Sequence, residues 1–152
     1  MTDLVIAEYG IRQLHARFAD AVWRKDAGAY ADCFAEHAEW KIATMHIRGR
    51  ADIGGTFAKL LAACARVQII AGTPLLDIGQ GTATGRIQIT ELAKMADGSS
   101  AMTLGVYYDR YVEEAGRWRF QWRHFGLHYR GPTDLSAALV ESVRRGRGRR
   151  PR

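Results

Sequence analysis

The fold is decided by the stretch Val22–Trp40, which reads VWRKDAGAYADCFAEHAEW. A helical pattern ends just before Asp26, and Asp26 is a good N-cap for a short second helix through Phe34, because its carboxylate can accept the free N–H groups of a first turn. Residues 38–44 then read as a strand. The stretch therefore predicts two helices that lead directly into a sheet.

The residues on either side extend this pattern into three helices. Residues 3–24 carry apolar side chains at three- and four-residue steps, which predicts one long amphipathic helix with Leu4, Ile6, Ala7, Ile11, Leu14, Phe18, Ala21 and Val22 on its apolar stripe. Gly49 leads into a third helix over residues 51–65. Three helices thus precede most of the sheet.

The second half of the chain changes to a period of two residues. Strands are predicted at about 66–78, 83–95, 101–113 and 117–130. Gly79-Gln80-Gly81, Asp97-Gly98-Ser99 and Ala115-Gly116 separate them, and these are turn sequences typical of antiparallel hairpins. Because such a sheet must bury one face, the helices are expected to cover it. After Pro132, residues 133–143 are predicted to form a last helix, capped by Thr133 or Asp134.

Composition and charge narrow the class of protein. The chain has 152 residues, 47% hydrophobic and 25% charged, which suits one globular domain. Its net charge of +6 comes from six arginines in the last nine residues, since Lys and Arg otherwise equal Asp and Glu in number. We expect one domain over residues 1–143 and a disordered Arg-rich tail over 144–152, with a polyanion-binding arm as the alternative. Without a domain-wide basic stripe, no specific nucleic acid partner is expected.

Targeting signals and disulfides are not expected. Charged residues interrupt the N-terminus where a signal peptide needs an apolar core, and no apolar run approaches the roughly 18 residues of a membrane span. We therefore predict a cytoplasmic protein with no membrane partner. Cys33 and Cys64 fall in apolar helical stretches, where a free thiol packs as a small hydrophobe.

Three short motifs and the order of the elements resemble a known group of proteins. The motifs are Trp23–Asp26, Cys33–Trp40, and the hairpin Tyr107–Tyr111 followed by Gly116–Phe120. With the matching element order, they are similar to the SnoaL-like polyketide cyclases, dehydratases and isomerases of the nuclear-transport-factor-two-like superfamily. The resemblance implies an α+β fold, a cone-shaped half-barrel in which three N-terminal helices pack on a strongly bent antiparallel sheet around an apolar pocket.

The resemblance also locates a missing catalytic pair. Scytalone dehydratase and a dehydrochlorinase in this group pair an Asp on the first helix with a His on the first long strand, and a carboxylate-oriented imidazole transfers protons at neutral pH. In this chain the Asp position falls on Trp23 and the His position on Ile69 or Ile70. Neither replacement titrates. A register shifted by one helical turn would instead bring Asp20 or Asp26 to the site.

The alternation of the strands predicts which side chains face the interior. They are Gln68 and Ile70, then Ile87, Ile89 and Glu91, then Gly105, Tyr107 and Asp109, then Gln121, Arg123, Phe125 and Leu127. With three aromatic residues from the N-terminal half, they predict a mostly apolar pocket for a small hydrophobic molecule, lined by Phe18, Trp23, Trp40, Ile70, Ile87, Ile89, Asp109 and Phe125. A core filled by the same side chains is the alternative.

Four polar residues are candidates for catalysis. Arg123 needs a carboxylate or an anionic ligand at an inward position, and an ion pair with Glu91 or Asp109 meets that need equally well. Tyr107 is a candidate donor to a developing enolate oxygen, or else a half-buried ring with a solvated hydroxyl. His46, predicted in a turn at the pocket mouth, and Glu91 are the candidates for moving protons. The histidines have no recognised ligand spacing, so neither a metal nor another cofactor is expected.

Three functions are consistent with these features. The first is a cofactor-independent dehydratase, isomerase or cyclase acting on a hydrophobic cyclic substrate. The second is a non-catalytic module for ligand binding or assembly, and the third is the small subunit of a ring-hydroxylating dioxygenase. A homodimer is expected, with a trimer as the alternative, because Trp118, Phe120 and Trp122 are predicted to form an apolar strip on the outer sheet face.

Overall fold

The computed structural model describes residues 2–140. Three helices come first: α1 (Thr2–Trp23), α2 (Ala27–Asp32) and α3 (Arg50–Ala62). Ala7, Ile11, Leu14 and Phe18 form the buried face of α1, as its three- and four-residue spacing predicts. The Asp26 side chain accepts a hydrogen bond from the Ala29 N–H at 2.9 Å, which confirms the N-cap of α2. None of the helices in this range combines the length and the hydropathy needed to cross a membrane.

Seven strands form one strongly curved, unclosed sheet. They are β1 (Phe34–Ile42), β2 (Met45–Arg48), β3 (Cys64–Ala71), β4 (Leu75–Ile78), β5 (Thr82–Met95), β6 (Ser100–Glu114) and β7 (Arg117–Gly131). The order is β2-β1-β7-β6-β5-β3, with β4 also paired to β5. Among the strand pairs of residues 2–140, only β1–β7 is parallel. The predicted α+β half-barrel with three helices on a bent sheet is confirmed.

The first strand differs from its prediction at both ends. It begins at Phe34 rather than at residue 38, and after a two-residue turn the chain forms β2, a strand that the sequence pattern missed. Ala43 makes this turn at a φ of 51°. The turn therefore lacks the glycine or asparagine that usually marks a hairpin. As a result His46 lies on β2 and not in a loop.

The segment predicted as one strand over residues 66–78 is two strands. Gly72, Thr73 and Pro74 separate β3 from β4, and Pro74 has no N–H with which to continue the ladder. Both strands pair with β5, β3 with residues 89–95 and β4 with residues 83–86. The break lets one long strand hold two short ones along the same edge.

The helix predicted after Pro132 is absent from residues 133–140. Asp134 instead accepts a hydrogen bond from the Ser136 N–H at 2.9 Å, so it closes a turn. The segment folds back along β7, where the Val140 N–H donates to the His128 carbonyl at 2.7 Å. Residues 141–143 of the predicted helix and the predicted tail over 144–152 lie outside the described residues.

Bulges change which side chains face inward at two of the predicted places. The β6–β7 register shifts near Gln121, so that Tyr111 pairs with Phe120 while Arg110 pairs with Trp122. Gln121 is the extra residue of this bulge. Phe120 is therefore completely buried and Trp118 is buried as well, so the strip predicted on the outer face keeps only Trp122. Strand β3 has a bulge between Cys64 and Arg66, and its inward residues are Val67 and Ile69 rather than Gln68 and Ile70.

Candidate functional site

The concave side of the sheet holds a cluster of aromatic side chains beneath α1, α2 and α3. Tyr30 stacks on Phe57 with ring centroids 3.5 Å apart, and Phe18 lies within 6.4 Å of four other rings. Tyr107 and Phe125, paired across β6 and β7, have ring centroids 4.9 Å apart. The interior is therefore largely aromatic, as the strand alternation predicts.

A buried ion pair crosses the middle of this cluster. Arg123 donates to Asp109 from Nε at 2.7 Å and from Nη2 at 3.0 Å. Its guanidinium also lies 3.7 Å from the ring centroid of Tyr107, 3.9 Å from that of Phe120 and 4.4 Å from that of Phe18. Burial alone would lower the pKa of Arg123, but Asp109 raises it. Arg123 is thus charged and has Asp109, not Glu91, as its partner.

Behind Asp109, two further groups continue the hydrogen-bonded chain. The Tyr111 hydroxyl lies 3.3 Å from Asp109 Oδ2, and His15 Nε2 lies 2.8 Å from that hydroxyl. Burial raises the pKa of Asp109, while Arg123 and Tyr111 oppose the rise. Burial and the nearby Arg123 hold the pKa of His15 well below its usual value. The series of hydrogen bonds from Arg123 through Asp109 and Tyr111 therefore ends at an uncharged His15 imidazole.

Two buried N–H donors in this region have no partner among the described residues. They are Nη1 of Arg123 and Nε1 of Trp40. These residues are direct neighbours across β1 and β7. Because Nε and Nη2 of Arg123 hold Asp109, Nη1 is the guanidinium nitrogen on the far side from that carboxylate. Burial raises the pKa of the adjacent Tyr107 to about 12, while the charge of Arg123 and, less strongly, the Trp40 indole N–H oppose this rise. The Trp40 N–H is near the Tyr107 hydroxyl but does not form a hydrogen bond of ordinary length with it.

Glu91 is the carboxylic acid of the concave face that makes neither an ion pair nor a hydrogen bond within residues 2–140. It lies between Ile69 of β3 and Thr103 of β6. Burial raises its pKa, and the charge of Arg130 opposes this rise. A carboxyl group with a raised pKa can hold a proton nearer to neutral pH, which suits proton transfer.

The sequence pattern missed Tyr30 as a member of this site. Tyr30 is buried on α2, and its ring centroid lies 5.6 Å from that of Trp40. Burial raises the pKa of Tyr30 well above its usual value, with Tyr107 and Glu91 contributing. Its position in the four-residue helical spacing with Phe34 was the only signal available, and that signal is equally typical of a core residue.

Three of the predicted site residues lie away from the concave interior. The Trp23 side chain is 59% exposed and Ile70 is 56% exposed, so neither lines it. Trp23 donates its indole N–H to Asp20 at 3.0 Å on the surface of α1. His46 pairs with Glu39 at 2.9 Å on the outside of β2, which removes it from the predicted pocket mouth.

The alternative register does not restore the missing catalytic pair. Asp20 and Asp26 both bind Arg24 at the surface, at 2.9 and 2.7 Å, and neither contacts a histidine. The remaining predicted lining residues are on the concave side: Phe18, Trp40, Ile87, Ile89, Tyr107 and Asp109 are buried, and Phe125 packs against them. Within residues 2–140, no three His, Cys, Asp or Glu side chains converge as metal ligands would.

The protein also has a groove on its surface, away from the buried ion pair. One, of about 570 Å³, runs between the first turns of α1 and the β4–β5 and β6–β7 turns, with Trp118 as part of its wall. Gly10 of α1 faces this wall so closely that a Cβ there would lie 2.6 Å from Trp118 Cδ1. Neither Trp40 nor Arg123, the residues with the unpaired donors, lines this groove.

Comparisons with known proteins agree with this architecture. The family model of the SnoaL-like domain matches residues 5–124. A proposed scytalone dehydratase from Novosphingobium aromaticivorans superposes with a TM-score of 0.82 at 18% identity, covering 97% of this chain and 99% of that one. The hexachlorocyclohexane dehydrochlorinase of type 3 from Novosphingobium barchaimii gives 0.78 at 16%, covering 92% and 98%.

A third solved structure has the same fold. A nuclear-transport-factor-two-like superfamily protein from Salmonella enterica superposes with a TM-score of 0.76 at 14% identity, covering 82% of this chain and 92% of that one. At these identities the three structures show a shared fold. No protein with a curated description matches the sequence.

Proposed function

Because the chain belongs to the SnoaL-like domain family, we propose that it binds a hydrophobic cyclic molecule on the concave side of its sheet and moves protons on it without a cofactor. The reaction class is elimination, isomerisation or cyclisation. The proposed ligand carries an oxygen that can accept hydrogen bonds, and the aromatic rings around the site bind its apolar body.

The observation that carries this proposal is the pair of unpaired donors, Arg123 Nη1 and Trp40 Nε1. A buried donor without an acceptor costs about 1–3 kcal/mol. Two of them on directly paired residues are a large cost for one small region, and a ligand oxygen that accepts from both side chains on the concave side would remove it. An oxygen that gains negative charge during the reaction benefits more than a neutral one, because the donors are fixed in a water-poor site.

Tyr107 and Glu91 complete the proposed chemistry. The Tyr107 ring lies on the Arg123 guanidinium, so its hydroxyl is proposed as a third donor to the same oxygen. Glu91, with its raised pKa and no ion-pair partner within residues 2–140, is proposed to take a proton from the substrate and return it. His46 has no part in this scheme, because it is bound to Glu39 at the surface.

A non-catalytic module for ligand binding or assembly is the second candidate. It is favoured by the residue types at the two positions that the family resemblance implies for the acid and the base, Trp23 and either Ile69 or Ile70, since neither titrates and Trp23 and Ile70 are exposed. Homodimerisation, with a trimer as the alternative, stays a prediction, and Trp122 is the one residue of the predicted outer strip that remains on the outer face to support it. No observation on residues 2–140 favours the dioxygenase subunit.

The proposal is tested with 2-naphthol, a hydrophobic bicyclic probe that carries one oxygen, and with naphthalene, which lacks it. Trp40→Phe removes one unpaired donor and keeps an aromatic ring, so we expect 2-naphthol to bind about two- to tenfold more weakly, the value of one hydrogen bond. Naphthalene affinity should stay the same. Trp122→Phe, on the outer face, is the matched control. Equal affinities of both probes for the native protein and Trp40→Phe would contradict the proposal.

A further inference from the structure

The series of hydrogen bonds behind Arg123 begins on a different element from the two strands that carry the unpaired donors. His15 belongs to α1, Tyr111 and Asp109 to β6, and Arg123 to β7. His15 is buried, and its ring also packs edge-on against Phe120 at a centroid distance of 5.2 Å. A polar contact of this kind between a helix and two strands holds all three in one arrangement.

The protons in this chain can be assigned from its acceptor. Asp109 already accepts two hydrogen bonds from Arg123, which identifies it as an ionised carboxylate. The Tyr111 oxygen lies 3.3 Å from the same carboxylate, and its single proton is best placed between the two oxygens. The Tyr111 hydroxyl then has only lone pairs to offer to His15. The contact at 2.8 Å therefore requires an N–H on His15 Nε2.

A hydrogen bond in the opposite direction, from Tyr111 to His15, is electrostatically less favourable. If Tyr111 donated to His15, an oxygen lone pair would face the Asp109 carboxylate at 3.3 Å and the Nε2 lone pair would face it at 3.9 Å. A doubly protonated His15 is disfavoured too, because its burial and the nearby cation of Arg123 both oppose a second positive charge. Asp109 and Tyr111 from β6 and Arg123 from β7 are the titratable groups that act on the ring.

We propose that His15 is a positioning residue of the concave site: as a neutral Nε2–H tautomer it donates to Tyr111, which directs the Tyr111 hydroxyl to Asp109 and thereby fixes the guanidinium of Arg123. The orientation of Arg123 decides where its unpaired Nη1 points. The inference rests on the proposed function only in its last step, the use of Nη1 by a ligand. The tautomer and the orientation are properties of the protein alone.

NMR spectroscopy of the full chain labelled with nitrogen-15 tests the protein part of this inference. We expect a proton on Nε2 and none on Nδ1 of His15, and a slowly exchanging Nε–H signal for Arg123. His15→Phe should speed the exchange of the Arg123 Nε–H by about tenfold or more, and His15→Gln, which keeps a donor, should restore it. His37→Gln, at an exposed position, is the matched control.

Two results would overturn the inference. One is a His15 ring protonated at Nδ1 only, which can be read on the native protein even if His15→Phe does not fold. The other is an Arg123 Nε–H signal that does not change in His15→Phe. Binding of 2-naphthol separates the two proposals: a native protein that shows the expected tautomer and exchange but does not bind the probe contradicts the proposed function, and the relay from His15 to Arg123 is supported.

Discussion

Arg123 and Asp109 form a two-point ion pair whose side chains are both completely excluded from solvent, with N···O distances of 2.7 and 3.0 Å. Their backbones are also paired across β6 and β7. Three aromatic rings around the guanidinium supply further attraction, since a desolvated cation over a ring face contributes more than an exposed one. The pair therefore stabilises the contact between β6 and β7 and also fixes Arg123 on the concave side of the sheet.

Removing one partner of this pair should be costly. Asp109→Ala leaves a buried guanidinium without a counter-ion, so we expect a loss of about 3–5 kcal/mol in the free energy of unfolding, measured in urea. Arg117→Ala is the control, because Arg117 and Asp32 are each 47% exposed and such pairs contribute about 0–1 kcal/mol. Similar losses in the free energy of unfolding for the two variants would show that the buried pair stabilises the fold no more than an exposed pair does.

His15 should make the stability depend on pH. Its pKa in the folded protein is lowered by burial and by Arg123, so the unfolded chain binds the proton first as the pH falls. Stability is then complete above the unfolded pKa of about 6.5 and decreases below it, until the pH reaches the folded pKa. His15→Phe should flatten the curve of melting temperature against pH in this window. A curve of unchanged slope would argue against a buried neutral His15.

Glu91 should make the stability depend on pH in the opposite direction to His15. Its folded pKa is raised, so the folded state holds the proton more tightly, and stability falls as the pH rises from the usual range of a glutamate through the folded pKa. Glu91→Gln is therefore expected to raise the melting temperature at neutral pH and to have little effect in acid. The variant should also abolish any proton exchange that the protein catalyses. A melting temperature that drops at neutral pH would mean that the carboxylate is stabilising.

Gly105 is expected to reject any side chain. A Cβ at this position would overlap Phe125 Cζ and the Gly126 carbonyl oxygen. Gly105→Ala must displace both the Phe125 ring and the backbone at Gly126, so we expect a loss of about 1–3 kcal/mol in the free energy of unfolding. Gly55→Ala, in α3 with no atom within 4 Å of its Cβ, should instead stabilise by about 0.5–1 kcal/mol. Calorimetry of both variants measures the contrast.

Trp23 and Trp40 should differ sharply when truncated. Trp23 is 59% exposed, so Trp23→Ala is expected to change the free energy of unfolding by less than about 0.5 kcal/mol. Trp40 is 2% exposed, and Trp40→Ala should cost about 3–5 kcal/mol. Urea denaturation of both variants checks this. A large loss for Trp23→Ala would mean that its indole is packed rather than solvated.

The local signals predicted most of the fold and only part of the site. Strands β5, β6 and β7 were predicted within two residues at each end, because the two-residue alternation and the glycine turns between them are local. The hairpin at Ala43 was missed, since alanine at a positive φ leaves no compositional mark. Of the predicted site residues, Arg123, Tyr107 and Glu91 lie on the concave side, whereas Trp23, Ile70 and His46 do not.

The sequence by itself determined that three helices come first, that the long strands β5, β6 and β7 follow one another, and that the interior is rich in aromatic side chains. It also determined that position 23 carries no aspartate and positions 69 and 70 no histidine. Only the tertiary structure decided that Asp109 rather than Glu91 binds Arg123, that Phe120 is buried and that Ile70 faces outward. Asp109 binds Arg123 because the two residues are direct neighbours across β6 and β7, whereas Glu91 lies between β3 and β6. Phe120 and Ile70 face as they do because one extra residue at a bulge reverses the facing of the side chains that follow it. The position of a bulge depends on how segments that are distant in the sequence pair, so it cannot be predicted from the pattern of neighbouring residues.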